Sequence, residues 1–120
     1  MRKLNILIVE DGRSQREMLR DFLISEGHRV QEAENGEAAV KSVLNNPFDL
    51  ILLDYKMPGM DGMDVLKEVK RINHEIDVVI ITAYGTIETA VEAIKVGAID
   101  YITKPVELEE LLLLVDRVAE

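Results

Sequence analysis

The chain has 120 residues, which suits one compact domain and leaves too little material for two. Its composition, 48% hydrophobic and 31% charged, is typical of a folded soluble domain, and its net charge of −9 argues against direct nucleic-acid binding because it repels phosphates. The absence of cysteine excludes disulfides and thiolate chemistry, and no apolar stretch is long enough for a membrane span or signal peptide, so we expect a cytoplasmic domain without membrane contact.

Two kinds of apolar pattern alternate along the chain. Short continuous apolar runs are typical of strands buried on both faces, and apolar residues spaced three or four apart are typical of amphipathic helices. The predicted strands are 4–9, 29–34, 49–54, 77–82 and 98–103. The predicted helices are 14–27, 35–46, 62–72, 85–97 and 107–120. Strict alternation with short connections predicts one α/β domain over residues 1–120, with a doubly wound parallel sheet and helices on both faces.

The apolar spacing also predicts which helix positions face the core. The inward positions of the first four helices are Met18, Leu19, Phe22, Leu23, Ala39, Val40, Val43, Leu44, Val65, Leu66, Val69, Ile87, Ala90, Val91 and Ile94. Those of the last helix are Leu108, Leu111, Leu112, Val115 and Ala119. In that helix Leu113 points away from the inward stripe and Leu114 lies on its flank, an apolar surplus that suggests a partner surface.

Polar residues stand at the carboxyl ends of four predicted strands, which is where ligands bind in doubly wound sheets. Glu10 and Asp11 follow the first strand, and Asp54 ends the third. Thr82 ends the fourth strand and Lys104 follows the fifth. One polar residue at a strand end usually marks the exit into solvent, but parallel strands bring all five to the same edge of the sheet. This edge is therefore the candidate site.

The chemistry of this set is that of a cation site beside a phosphoryl group. Three clustered carboxylates repel one another unless a cation neutralises them, and oxygen ligands favour a hard ion such as Mg²⁺. Lys104 is suited to bind a phosphoryl oxygen or a carboxylate, and Thr82 can donate to a phosphoryl oxygen, so the set fits in-line phosphoryl transfer. Since no Ser, Cys or His is well placed, we predict a carboxylate nucleophile, with Asp54 at the end of a central strand as the best candidate.

Four segments, "ILIVEDG", "LILLDYKMPGMDG", "VVIITAYG" and "YITKP", together resemble the receiver domain of two-component response regulators. The resemblance covers essentially the whole chain. It implies a flavodoxin-like (CheY-like) fold with five strands in the order 2-1-3-4-5. The segment "ITAYGTIETAVEAIKVGAIDYITKP" is similar to receivers of the nitrogen-regulator type, which occur in sigma-54 activators.

The resemblance implies roles for the residues around the acidic cluster. Asp54 matches the phosphoacceptor. Asp11 matches a direct Mg²⁺ ligand, Glu10 a ligand acting mostly through a bound water, and the backbone carbonyl of Lys56 completes the protein's share of the coordination. Mn²⁺ is expected to substitute for Mg²⁺.

The resemblance also implies a switch. Lys104 would bind the phosphoryl group, Thr82 would close on it, and Tyr101 would move inward with Thr82. The positions of Lys56 and Tyr84 tune hydrolysis of the acyl phosphate in the family. The bond between Lys104 and Pro105 is typically cis in such domains.

The implied partner is a sensor histidine kinase that donates the phosphoryl group. Such a domain is a signalling module that catalyses its own phosphotransfer and slow dephosphorylation rather than a turnover enzyme. A face made by the fourth helix, fifth strand and fifth helix, including Leu113 and Leu114, would support a homodimer or output contact. Downstream AAA+ ATPase and DNA-binding domains are expected if the chain is the N-terminal part of a longer regulator, and a stand-alone relay receiver is the alternative.

Two other protein classes fit less well. An aspartate-nucleophile phosphatase generally has a second Asp two residues after the nucleophile, where this chain has Lys56. A flavodoxin-type cofactor binder would need a hydroxyl- and glycine-rich loop after the first strand, where "EDGRSQRE" is acidic. His28 and His74 lie in polar turns and are expected to be surface residues that take no part in the site.

Overall fold

The computed structural model describes residues 2–83 and 86–120 and contains the ten predicted elements. The strands are β1 (Asn5–Val9), β2 (Arg29–Ala33), β3 (Leu50–Asp54), β4 (Asp77–Thr82) and β5 (Asp100–Thr103). The helices are α1 (Arg13–Ser25), α2 (Gly36–Asn45), α3 (Gly62–Ile72), α4 (Ile87–Val96) and α5 (Leu108–Ala119). Each boundary lies within about two residues of its prediction, the usual uncertainty of element ends.

The five strands form one parallel sheet in the order β2-β1-β3-β4-β5. This confirms both the doubly wound sheet and the strand order that the family resemblance implied. The order reverses between β1 and β3, so the residues that follow these two strands meet at the topological switch point.

Each face of the sheet has its own hydrophobic core, as continuous apolar strands require. Along β3, Ile51 and Leu53 pack into the core beneath α2 and α3, while Leu50 and Leu52 pack into the core beneath α1 and α5. All of β3 is buried, including its last residue, Asp54. The backbone of this central strand is therefore held from both sides.

The predicted inward face of α4 is wrong. Ile87, Val91 and Ile94 have exposed fractions of 84%, 46% and 48%. Among the described residues, Ala93 is the buried residue of this helix. A small side chain lets the helix lie close to the sheet, and the larger apolar side chains then point outward.

The same error occurs on α1 and α2. Met18 and Leu44 were also predicted to face inward, and their side chains are 42% and 63% exposed. Each lies beside residues that are buried as predicted, Leu19 and Val43. The apolar stripe of each helix is therefore wider than its contact with the sheet.

On α5 the two leucines predicted to contribute to a partner face, Leu113 and Leu114, have different outcomes. Leu113 is 69% exposed, as predicted. Leu114 is 3% exposed and belongs to the core beneath α1 and α5, so the prediction that it contributes to a partner face is wrong. The reason is the rotation of the helix, which centres its buried arc on Leu111, Leu114 and Val115.

The prediction for His28 is also wrong, since this side chain is buried. Its Nδ1 accepts a hydrogen bond of 3.1 Å from the backbone N–H of Leu4, at the edge of the sheet opposite the candidate site. His74 is exposed, as predicted. Within residues 2–83 and 86–120, no helix is both long enough and apolar enough to cross a membrane.

Candidate functional site

Three carboxylates meet at the carboxyl ends of β1 and β3. Asp54 is the last residue of β3 and Glu10 follows β1, and both side chains are buried, whereas Asp11 is exposed. One carboxylate oxygen from each of the three lies within 4.8 Å of the others. Adjacent parallel strands set this geometry, and it brings together the acidic residues that the sequence predicted to share an edge.

Lys104 lies between two of these carboxylates. Its Nζ donates to Glu10 Oε1 at 2.8 Å and to Asp54 Oδ2 at 3.3 Å. Its backbone N–H donates to the carbonyl of Thr82 at 2.8 Å, which ties the ends of β4 and β5 together. Thr82 itself is fully buried. The predicted ammonium group is therefore in contact with the predicted nucleophile.

Burial and neighbouring charges shift the pKa values of Asp54 and Glu10 in opposite directions. Burial, and then the charge of Glu10, raise the pKa of Asp54 to about 6. Burial works to raise the pKa of Glu10 as well, but hydrogen bonds from Lys104 and from the backbone N–H of Gly12 outweigh it and lower that pKa. Burial opposes the charge of Lys104, yet its two carboxylate partners raise its pKa. Lys104 is therefore charged at neutral pH, and the cluster keeps an excess of negative charge that suits a hard cation.

The turn after β3 packs against the backbone of Asp54. The N–H of Gly62 donates to the carbonyl of Tyr55 at 2.8 Å, and Asp61 caps α3 in a reciprocal capping box with Asp64. A Cβ at Gly62 would lie 2.6 Å from the Asp54 carbonyl oxygen, so only glycine allows α3 to begin so close to it. The start of α3 thus packs against the peptide that follows Asp54 and holds it in place.

The other predicted residues have the following surroundings. The Lys56 side chain is exposed, and Tyr101 is half-buried with its hydroxyl 3.2 Å from Thr89 Oγ1 at the start of α4. Tyr84 lies outside the described residues. The peptide bond between Lys104 and Pro105 is cis.

Two residues near the site have no counterpart in the sequence predictions. Arg16 of α1 donates through Nη1 to the backbone carbonyl of Glu10 at 2.8 Å. Thr89 forms a capping box with Thr86, a pattern that could have been read from two hydroxyl residues three apart at a helix start. The contact of Arg16 has no such local signal, since it depends on how α1 is rotated against the sheet.

The fold and the site together define a class, namely a doubly wound α/β domain that fixes one carboxylate beside a lysine and within a cluster of acidic residues. Comparison with known proteins narrows this class. The family model of the response regulator receiver domain matches residues 6–116. The chain therefore belongs to the response regulator receiver domain family, whose members are signalling domains of two-component systems.

Curated relatives agree with this assignment. Transcriptional regulatory protein ZraR of Klebsiella oxytoca is 44% identical over 111 residues, which cover 92% of this chain and 25% of that protein. Response regulator protein FleR of Pseudomonas aeruginosa is 41% identical over 112 residues, covering 93% and 24%. The chain thus spans about a quarter of the length of these curated relatives.

Solved structures agree as well. NtrX from Brucella abortus has a TM-score of 0.90 at 34% identity, over 98% of this chain and 27% of that one. The signal receiver domain of a putative Luxo repressor protein from Vibrio parahaemolyticus has a TM-score of 0.92 at 30% identity, over 98% and 90%. The similarity to ZraR, FleR and NtrX confirms the predicted resemblance to receivers of the nitrogen-regulator type.

Proposed function

We propose that this domain accepts a phosphoryl group on Asp54 from the phosphohistidine of a sensor histidine kinase. The observation that carries the proposal is the position of Asp54. Its carboxylate ends a fully buried strand, with Lys104 at 3.3 Å and the oxygens of Glu10 and Asp11 within 4.8 Å. A fixed nucleophile between a lysine and a cation site is what in-line phosphoryl transfer requires.

The donor set of the cluster fits Mg²⁺, with Mn²⁺ as a substitute, because all of its ligands are oxygens. Asp11, Asp54 and the backbone carbonyl of Lys56 would hold the cation directly, and Glu10 would hold it mostly through water. When bound, the cation would neutralise charge on the phosphoryl oxygens.

The chain's own residues carry the transfer. At neutral pH a carboxyl group with a pKa of about 6 is mostly ionised, so Asp54 is available as a nucleophile. One of its oxygens bonds to phosphorus, the bond from phosphorus to the kinase imidazole nitrogen breaks, and the electron pair stays on that nitrogen. The Lys104 ammonium stabilises the charge on the transferred group. Slow hydrolysis, tuned by the positions of Lys56 and Tyr84, returns the domain to its starting state.

The acyl phosphate then acts as a switch. Thr82 would close on the phosphoryl group, and Tyr101 would move inward and leave its contact with Thr89. This change would alter the face formed by α4, β5 and α5, on which Ile87 and Leu113 are exposed. A second copy of the chain, or AAA+ ATPase and DNA-binding domains of a longer cytoplasmic regulator, would recognise that face. A stand-alone relay receiver would use the same chemistry without such output domains.

Intact-mass spectrometry after incubation with acetyl phosphate and Mg²⁺ tests the assignment. We expect one added phosphoryl group in the wild-type chain and none in Asp54→Asn or in the presence of a chelator. The Asp49→Asn variant, which removes a carboxylate at the opposite edge of the sheet, should still be modified. An undiminished adduct in Asp54→Asn would show that another residue is the acceptor.

A further inference from the structure

We propose that Arg16 is a positioning residue for the cation ligands, which holds the peptide between Glu10 and Asp11 in place from the first turns of α1. The inference rests on the proposed function, because its target is the cation that Glu10, Asp11 and Asp54 are proposed to hold. Arg16 touches neither that cation position nor the nucleophile. It acts through the backbone that carries two of the ligands.

The guanidinium group of Arg16 joins two strands at the edge of the site. Its Nη1 donates to the carbonyl oxygen of Glu10 at 2.8 Å, and its Nε donates to Glu32 Oε1 on β2 at 3.0 Å. The Arg16 side chain is 14% exposed, and its bond to the Glu10 carbonyl is partly buried, whereas its bond to Glu32 lies at the surface. A planar fork with several donors can make both contacts at once, whereas a lysine ammonium on a flexible stem makes a far less defined pair.

The carbonyl group that Arg16 contacts belongs to the peptide plane that leads into Asp11. Fixing this plane fixes the direction in which the Asp11 side chain leaves the backbone. Before this peptide, the N–H of Glu10 donates to the Ala33 carbonyl at 3.1 Å. After it, Gly12 is the N-cap residue of α1 and, among the described residues, no side chain caps this helix start. The N–H of Gly12 donates at 3.0 Å to Glu10 Oε2, which is itself a ligand atom. Among the described residues, the hydrogen bond from Arg16 is thus a side-chain restraint on this segment that does not use a ligand carboxylate.

Glu32 anchors the far end of this arrangement. It accepts from Arg16 and also from Arg20 Nη1 at 3.1 Å, so its carboxylate is held between two arginines of the same helix. Among the described residues, the partners of Arg20 are Glu32 and Asp21 rather than Glu10. Arg20 therefore offers a matched control. It has the same charge as Arg16, lies on the same helix and shares the partner Glu32, but it lacks the hydrogen bond to the Glu10 carbonyl.

The sign of the effect on cation affinity separates positioning from simple charge. Arg16 carries the same charge as the cation, so its removal would strengthen cation binding if only electrostatics mattered. If Arg16 orients the ligands, its removal weakens binding instead. Arg16→Lys keeps the charge and loses the paired geometry, which isolates the second effect.

Calorimetric titration with Mg²⁺ tests the proposal on the wild-type chain and on Arg16→Gln, Arg16→Lys and Arg20→Gln. We expect about tenfold weaker Mg²⁺ binding in both Arg16 variants, a loss typical of groups that orient metal ligands. Arg20→Gln should stay within about twofold of the wild type. Amide hydrogen exchange without Mg²⁺ gives a second readout. The Gly12 amide should exchange faster than in the wild type in Arg16→Lys and at the wild-type rate in Arg20→Gln.

Unchanged or tighter Mg²⁺ binding in Arg16→Gln, or wild-type binding in Arg16→Lys, would overturn the proposal. Should the Arg16 variants fail to fold, Glu32→Gln removes the anchor and leaves Arg16 in place. We then expect about threefold weaker binding than in Glu34→Gln, which removes an exposed carboxylate of equal charge. Equal affinity in the Glu32 and Glu34 variants would also overturn the proposal. A wild-type chain that binds no Mg²⁺ would instead overturn the proposed cation site itself, which keeps the two failures distinct.

Discussion

The proton affinity of Asp54 links the site to the stability of the domain. Burial, and next the charge of Glu10, raise the pKa of this carboxyl from its ordinary value of 3.8 to about 6. Between these values the folded chain binds more protons than the unfolded chain, so the stability contributed by Asp54 is present below pH 3.8 and is lost as the pH rises to about 6. Glu10 behaves in the opposite way, because its lowered pKa contributes stability that is lost on acidification below its ordinary value of 4.5.

Asp54→Asn should therefore stabilise the domain at neutral pH. We expect a gain of roughly 1 kcal/mol at pH 7.5, or about 4 °C in melting temperature, because the variant removes a buried charge beside Glu10. The gain should shrink at pH 5, where Asp54 is mostly protonated. Thermal denaturation in a chelating buffer measures both values, and Glu75→Gln, which removes an exposed carboxylate, should show no such pH dependence. An equal gain at both pH values would contradict the raised pKa.

Individual residues of the site were predictable where a strand end determined their position. Glu10, Asp54, Thr82 and Lys104 each follow from the end of an apolar run in a parallel sheet. Arg16 did not, because its contact with the Glu10 carbonyl depends on the rotation of α1, and its second partner, Glu32, lies on β2. The burial of His28 was missed for the same kind of reason, since its partner, the amide of Leu4 just before β1, is distant in the sequence.

At the scale of single elements, α5 presents two adjacent leucines with opposite surroundings. We expect Leu113→Asp to change the free energy of unfolding by less than about 0.5 kcal/mol, because the side chain is 69% exposed. Leu114→Asp should cost roughly 3 kcal/mol or more, because it places a charge in the core. Denaturant unfolding of both variants measures these values.

The Leu113→Asp variant also tests the proposed partner face. If the face of α4, β5 and α5 self-associates, Leu113→Asp should lower the sedimentation coefficient of the domain with bound phosphoryl mimic while leaving phosphorylation by acetyl phosphate intact. Sedimentation equal to that of the wild type, with and without the mimic, would show that Leu113 takes no part in association.

Helix existence and length followed from periodicity, but helix rotation did not. On α4 the apolar residues extend around more than one side, so the pattern could not decide which side contacts the sheet. The small residue Ala93 lies inward, and Ile87 and Ile94 lie outward. On α5 a run of four leucines leaves the same ambiguity. The helix is rotated so that Leu114, which was predicted to lie on the flank of the inward stripe, is a core residue.

At the scale of the whole molecule, alternation of apolar patterns predicted the parallel sheet and its two helical layers. The strand order did not follow from those patterns, because each strand is equally apolar whatever its neighbour. It was implied by the motifs at the strand ends, and it decides that Glu10 and Asp54 lie on adjacent strands. The convergence of the site is therefore a property of the topology rather than of any single segment.

This topology predicts how the whole domain responds to Mg²⁺. The proposed cation would link the ends of β1 and β3, and a site assembled from two strands would exist only in the folded chain. At a concentration about ten times its Kd it should add about 1.4 kcal/mol of stability, or roughly 5 °C in melting temperature. Thermal denaturation over a range of Mg²⁺ concentrations measures the increment.

Lys104 should determine the size of that increment, because it occupies two of the same carboxylates. In Lys104→Met we expect a lower melting temperature in chelator, since Glu10 and Asp54 lose the ammonium that separates them. On addition of a fixed concentration of Mg²⁺, the melting temperature of Lys104→Met should rise by more than that of the wild type. The melting temperature of Asp54→Asn should rise by less than that of the wild type. Lys67→Met removes an exposed lysine and should leave the wild-type increment unchanged. A rise in Lys104→Met no larger than that of the wild type would mean that the ammonium and the cation do not share these carboxylates.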